Sequence, residues 1–154
     1  MKTISPDNHL FIDGKYVFTT ERAQAAWAAC YEELDAVLAD PQVVRVTMLI
    51  GVPASGKTTW VSKQADDPRR VLFDATFAKA EWRAPVIAKC HQAGVEVDAV
   101  WIWCNSKVVK ERNAQRTADR QIPVEVIDSM FKLLDDDPPT CAEGLSGVQI
   151  INQF

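Results

Sequence analysis

Apolar residues fall along this chain in two rhythms, and the rhythm changes wherever turn residues intervene. Val43 to Ile50 is a β-branched apolar run of the length and composition of a strand buried on both faces. Arg69 to Phe73, Val95 to Trp103 and Val148 to Asn152 predict three more strands. Between them the spacing turns helical. Glu21 to Ala39 places Trp27, Tyr31, Leu34 and Leu38 on one stripe, with Thr19 or Thr20 as cap. Trp27 and Tyr31 read as core or, alternatively, as a platform for stacking a base. Thr59 to Gln64 suits a short helix, and Ala78 to Gln92 a longer one ending before Gly94, with Pro85 marking a kink or its true first turn. A further helix is predicted after Asn105 or Ser106, and another from Pro123 to about Leu134. Asp40-Pro41, Ala65 to Pro68 and Asp135 to Pro139 read as turns and loops. Near the start, Phe11 to Phe18 predicts a hairpin turning on Asp13-Gly14.

Strands alternating with helices predict an α/β fold: a parallel sheet flanked by helices, closed by Val148 to Asn152 as a fourth strand. Residues 1–40 read as a hairpin and helix added to the core, and residues 41–154 as the core itself, with a lid at about 106–122.

The segment immediately after the first core strand brings chemistry to this fold. Gly51-Val52-Pro53-Ala54-Ser55-Gly56-Lys57-Thr58 fits G-x-x-x-x-G-K-[ST], a phosphate-binding loop. Gly51 and Gly56 let the backbone bend with no Cβ in the way, so that successive amides point at phosphate oxygens. Lys57 can reach the β- and γ-phosphates, and the Thr58 hydroxyl can ligate Mg²⁺. The loop should open a helix whose N-terminal end faces the anion. The predicted ATP contacts are Gly51, Pro53, Ala54, Ser55, Gly56, Lys57, Thr58 and Thr59. Strand, loop and helix in that order predict a P-loop NTPase-type sheet.

The strand of residues 69–73 runs into Asp74-Ala75-Thr76. A carboxylate at the carboxyl end of a strand, beside such a loop, can hold Mg²⁺ through water or accept the proton of an attacking hydroxyl. Asp74 is therefore both a catalytic and a metal candidate, against the alternative of a helix cap. Thr76 and Arg83 are weaker functional candidates.

Composition adds limits. The chain has 154 residues, enough for one domain with a real core, and its 47% hydrophobic and 25% charged content is that of an ordinary globular protein. No apolar run is long enough to span a membrane, and residues 1–6 lack a signal-peptide pattern. Cys30, Cys90, Cys104 and Cys141 are scattered; with His9 and His91 they show no zinc-site spacing. The expected setting is a reducing cytoplasm. The net charge of −4 comes from residues 1–40, with seven acids against three bases. By contrast, Lys107, Lys110, Arg112, Arg116 and Arg120 form a basic run. It is either a solvated face or a kinase lid, with Arg112 and Arg116, four residues apart, projecting from one side of a helix to stabilise a phosphoryl group in transfer.

The order of these blocks is recognisable. Phosphate loop, Asp74-Ala75-Thr76, Glu111-Arg112-Asn113-Ala114-Gln115-Arg116, Ile122 to Met130, Pro138-Pro139 and Glu143-Gly144 follow one another as in the polynucleotide kinases of phage and bacterial type, which the chain resembles from about Val43 to Asn152. The resemblance implies an ATP- and Mg²⁺-dependent kinase acting on a hydroxyl, commonly the 5′-OH of DNA or RNA. It implies that Lys57 and Thr58 contact ATP and Mg²⁺, that Arg116 is the catalytic lid arginine and that Arg112 is its companion. One departure stands out. The family places a further strand with a catalytic Asp, and a helical acceptor lobe, between the phosphate-loop helix and the D-A-T strand; here only about ten residues separate the two. Either Asp74 serves as base or the base is lost, and residues 1–40 are the material from which an acceptor site could be rebuilt.

The function expected from sequence is transfer of the ATP γ-phosphate to a nucleic-acid hydroxyl, at a 5′ end or on a hydroxymethylated base in DNA, by Lys57, Asp74, Arg112 and Arg116. The alternatives are a kinase for a small molecule or nucleotide, and a nucleotide-binding module without transfer.

Overall fold

A computed structural model describes residues 1–153. Its centre is a five-stranded, all-parallel sheet in the order β1-β5-β4-β6-β7. The strands are β1 (Lys2–Ile4), β4 (Arg45–Ile50), β5 (Arg70–Asp74), β6 (Glu96–Trp103) and β7 (Val148–Asn152). A two-stranded hairpin, β2 (Phe11–Ile12) with β3 (Lys15–Tyr16), stands apart from the sheet. The helices are α1 (Thr20–Leu38), α2 (Lys57–Ser62), α3 (Ala80–Gln92), α4 (Ser106–Ala114) and α5 (Val124–Asp136). This is the α/β parallel sheet that the sequence predicts.

Alternation along β4 builds two cores. Val46, Met48 and Ile50 face the larger one, filled by Cys30 and Leu34 of α1, Val86 and Cys90 of α3, Val109 of α4 and Ile127 of α5. Leu49 points the other way, to Leu72, Val100 and Ile102 under Trp60 and Val61. Thr47 is polar on that second face and fully buried. Its hydroxyl donates to Asp98 Oδ1 at 2.6 Å and accepts from Arg70 Nε at 3.0 Å, so a polar bridge crosses the three central strands.

Local signals behave as their chemistry requires. Thr19 Oγ1 accepts from the Arg22 amide at 3.1 Å and starts α1; Asn105 Oδ1 accepts from the Lys107 amide at 2.8 Å and starts α4. The hairpin turn has φ of 49° at Asp13 and 79° at Gly14, both in the left-handed region that this two-residue turn needs. Trp27 stacks on Phe73, with ring centroids 5.8 Å apart, and meets Phe77 edge-on; it belongs to the core, not to a base platform.

Four expectations need correction. The sheet has five strands, because β1 pairs in parallel with β5 through Lys2↔Val71, Thr3↔Leu72 and Ile4↔Phe73. Three residues are too few to show a period, so sequence reasoning passed over them. Arg112 and Arg116 do not share a helix face: α4 ends at Ala114, and Arg116 follows in a turn whose amide bonds to the Asn113 carbonyl. α5 runs on to Asp136, into what reads as loop. Pro85 does not begin α3; the helix starts at Ala80 and runs past it, lacking the one hydrogen bond that a proline cannot donate. Among the described residues, no helix is long and apolar enough to cross a membrane.

Candidate functional site

The chain leaves the central strand β4 between neighbours reached in opposite directions, β5 on one side and β6 on the other. Crevices outside the carboxyl ends of strands at such a reversal are where open α/β sheets hold ligands. Here residues 51–58 fill that position. Gly51 admits nothing larger: a Cβ would stand 2.7 Å from the Ile102 carbonyl oxygen and 2.9 Å from Ser55 Oγ. Gly56, with φ of 107°, has a backbone that a side chain rarely tolerates.

Among the described residues, the amides of Gly56, Lys57, Thr58 and Thr59 make no backbone hydrogen bond. Ser55 Oγ is buried with no partner. Buried or clustered polar groups left unmatched need an explanation, and an oxyanion seated in the loop supplies one. The residues fit a nucleotide triphosphate. Lys57 lies under the loop, its Nζ donating to the carbonyls of Gly51 at 2.6 Å and Val52 at 3.3 Å, with Asp74 Oδ1 3.9 Å away. Burial pushes the Lys57 ammonium down from its ordinary value, although Asp74 partly restores it. The same burial pushes the Asp74 carboxyl up, against the pull of Lys57. Desolvation thus outweighs pairing for both, and phosphate charge is what Lys57 lacks.

The arginines come from the basic run of α4 and the turn after it. Arg112 Nη1 lies 3.7 Å from where a Cβ on Gly56 would stand, with Cys104 Sγ and the Gln153 carbonyl as its other neighbours. Arg116 makes no side-chain hydrogen bond or ion pair among the described residues. Burial first, then the adjacent Arg120 charge, lowers its pKa. Two guanidinium groups held together in this way attract an anion. The Thr58 hydroxyl is exposed, and Asp74 closes β5 beside Lys57. One hydroxyl and one carboxylate fit Mg²⁺, which keeps water and phosphate for its other ligands.

The structure therefore gathers Lys57 and Asp74 with the loop, sets Arg112 against it, and holds Arg116 within electrostatic range. It does not gather Arg83. That side chain is fully buried away from solvent, bound to Glu143, to the Phe77 and Asp137 carbonyls and to the Asp137 carboxylate, and it ties α3 to the end of α5. Thr76 contributes its carbonyl, which accepts from the Gly51 amide at 3.4 Å. The basic run divides as well: Lys110 pairs with Asp128 at 2.8 Å, and Arg120 lies over the rings of Phe11 and Tyr16.

Sequence spacing did not reveal the N-terminal contributors. Asp7 and Tyr16 face the lid arginines, with the Tyr16 hydroxyl donating to Asp7 Oδ1 at 3.3 Å. Behind them, His9, Cys30 and Glu33 come within 4.8 Å of one another. Glu33 is already bonded to His9 and to Lys2 there, so the group ties β1 and the turn after it to α1.

Comparison with known proteins points to the same fold from another part of the chain. Residues 64–136 match the model of a family described as an AAA domain, a P-loop NTPase-type family that includes kinases. The matched stretch begins after the phosphate loop, so loop and match are separate observations. The fold is P-loop NTPase-like. No curated protein matches the chain. A nucleotide-binding, kinase-like activity follows from loop, sheet and family match together.

Proposed function

We propose that this protein is an ATP-dependent kinase that moves the γ-phosphate to a hydroxyl of a nucleic acid, at a 5′-OH end or on a hydroxymethylated base in DNA. The observation that carries the kinase reading is the convergence of four unpaired loop amides, Lys57, Asp74 and the lid arginines on one end of the sheet. On binding ATP, Lys57 turns from the Gly51 and Val52 carbonyls to the β- and γ-phosphates. The loop amides hold the phosphate oxygens, and Arg112 and Arg116 meet the charge that develops on the transferring group. Thr58 and Asp74 are the residues that would hold Mg²⁺, which would supply positive charge beside the phosphates. Nucleic acid as acceptor rests on the resemblance of the Glu111 to Arg116 and Ile122 to Met130 blocks.

One observation favours a small phosphorylated acceptor instead. With Lys110 paired and Arg120 packed on the hairpin, the basic run offers little surface for tracking a polymer backbone. A polymer held at several phosphates would lose affinity steeply with salt, whereas a mononucleotide would not.

The test is transfer of label from γ-labelled ATP, with Mg²⁺, to 5′-OH oligonucleotides, 5′-blocked oligonucleotides with hydroxymethyl bases, nucleosides and nucleotides. Lys57→Ala and Arg116→Ala should each remove turnover by about 100-fold or more. Activity within tenfold of wild type in either variant would overturn the assignment. ATP binding with no transfer to any acceptor would favour the binding module.

A further inference from the structure

The edge strand β1 runs parallel to β5, so its carboxyl end opens on the same side of the sheet as the phosphate loop and Asp74. Register Ile4↔Phe73 sets the next residues, Ser5 and Asp74, side by side at that edge. Ser5 Oγ then accepts from the Asp7 amide at 3.3 Å and caps a short 3₁₀ turn, Pro6–His9, which carries Asp7. The Asp7 carboxylate accepts from the Tyr16 hydroxyl at 3.3 Å and stands 3.7 Å from Arg120 Nη2. Its charge reaches Lys57, Asp74 and Arg116 alike, so this one carboxylate acts on both the lid and the phosphate site.

The two acids differ in access. Asp74 is 18% exposed and lies against Lys57, on the nucleotide side. Asp7 is 54% exposed and so open to solvent. Around Asp7 the hairpin and lid form a wall. The Arg120 guanidinium lies 5.2 Å from the Tyr16 ring and 5.7 Å from that of Phe11, and the Tyr16 amide donates to Asp119 Oδ2 at 3.2 Å. Arg120 Nε is buried without a hydrogen-bond partner, and Arg116 is unpaired beside it. A carboxylate, the unpaired Arg116, and an Arg120 shared between Asp7 and two rings are the chemistry of a site for a hydroxyl compound that also carries a phosphate and a flat ring.

We infer that the N-terminal segment builds the acceptor site of this enzyme, with Asp7 as the group that takes the acceptor hydroxyl's proton and Arg120 as the contact for the acceptor's own phosphate. The inference rests on the kinase reading above. As the acceptor oxygen bonds to the γ-phosphorus, its proton passes to the Asp7 carboxylate. The bond from γ-phosphorus to the β,γ-bridging oxygen breaks, and its electron pair leaves with ADP. Asp7 then releases the proton to solvent. Such proton transfer contributes about 100-fold or more to rate.

The experiment compares wild type, Asp7→Asn, Asp7→Glu and Arg120→Gln. Each is assayed for label transfer to the oligonucleotide, nucleoside and nucleotide panel, and for Mg²⁺-ATP affinity by equilibrium dialysis. Asp7→Asn, which keeps the size and the Tyr16 contact, should lose about 100-fold or more in kcat while binding ATP within threefold of wild type. Asp7→Glu should recover part of that loss, as a structural role would not require. Arg120→Gln should raise KM tenfold or more for phosphate-bearing acceptors and leave KM for unphosphorylated nucleosides unchanged. A nucleotide and an oligonucleotide end share this chemistry, and the panel distinguishes them. An Asp7→Asn enzyme with kcat within threefold of wild type overturns the inference, as does a loss of ATP affinity equal to the loss of turnover. If wild type labels no acceptor, the kinase reading itself falls, a result distinct from an active Asp7→Asn enzyme.

Discussion

Arg83 shows how far one side chain's role depends on what surrounds it. On sequence it is a cation in an amphipathic helix near the D-A-T segment, a place where a phosphate contact is plausible. In the fold it is 0% exposed, with Glu143 at 2.8 Å and carbonyls on its other edges. Burial of this kind arises from the packing of α3 against distant residues near 137 and 143, and no local pattern announces it. Arg83→Met should destabilise the protein by about 3–5 kcal/mol, because the half-buried Glu143 and the Phe77 and Asp137 carbonyls lose the donors that Arg83 supplies. Arg83→Met with Glu143→Leu should recover part of that loss, and ATP affinity should survive in both. Urea denaturation and ATP binding check this; equal stability of single and wild-type proteins would count against the ion pair. Lys57 and Thr58 were legible for the opposite reason: the loop follows β4 directly in sequence, whereas Asp74 reaches Lys57 only because β5 pairs with β4.

Among elements, β1 was the least visible and is the most consequential. Lys2-Thr3-Ile4 has no turn signal before it and no period within it, and its partner lies about 69 residues away. Yet Ile4 is fully buried in the larger core, and the strand covers the edge of the sheet next to β5. Ile4→Ala should cost about 2–5 kcal/mol by denaturant unfolding. It should also weaken transfer more than ATP binding, since the turn bearing Asp7 hangs from this strand while the phosphate loop does not. Equal losses in both would place β1 in general support of the fold. The helix of the basic run was half legible: its start after Asn105 was expected, but its end at Ala114 was not, because nothing in Gln115-Arg116 stops a helix as proline or glycine would.

For the whole molecule, strand and helix alternation sufficed to name the sheet and its parallel sense, since these follow from chain order and the handedness of crossovers. Long-range electrostatics add a property of the assembled protein. Burial pushes the Cys30 and Cys90 thiols up to about 12, and burial with Asp7 does the same for Tyr16. In the unfolded chain the thiols ionise near their ordinary value of 9.0. Between those values the folded state keeps protons that the unfolded state has lost, so stability is full below pH 9 and falls as pH rises toward 12. Melting temperature should therefore drop more steeply between pH 9.0 and about 12 in wild type than in Cys30→Ala with Cys90→Ala. Parallel slopes would show that the thiols take no part.

The hydrogen bond from the Tyr16 amide to Asp119 fastens the N-terminal hairpin to the segment that carries the lid arginines. Whatever draws the lid toward a bound triphosphate must then move the far wall with it. In thermodynamic terms the occupancies of the phosphate site and the proposed acceptor site would be linked. Nucleotide would tighten the second ligand by the same factor by which the second ligand tightens nucleotide, and that shared factor would vanish if the tether were cut.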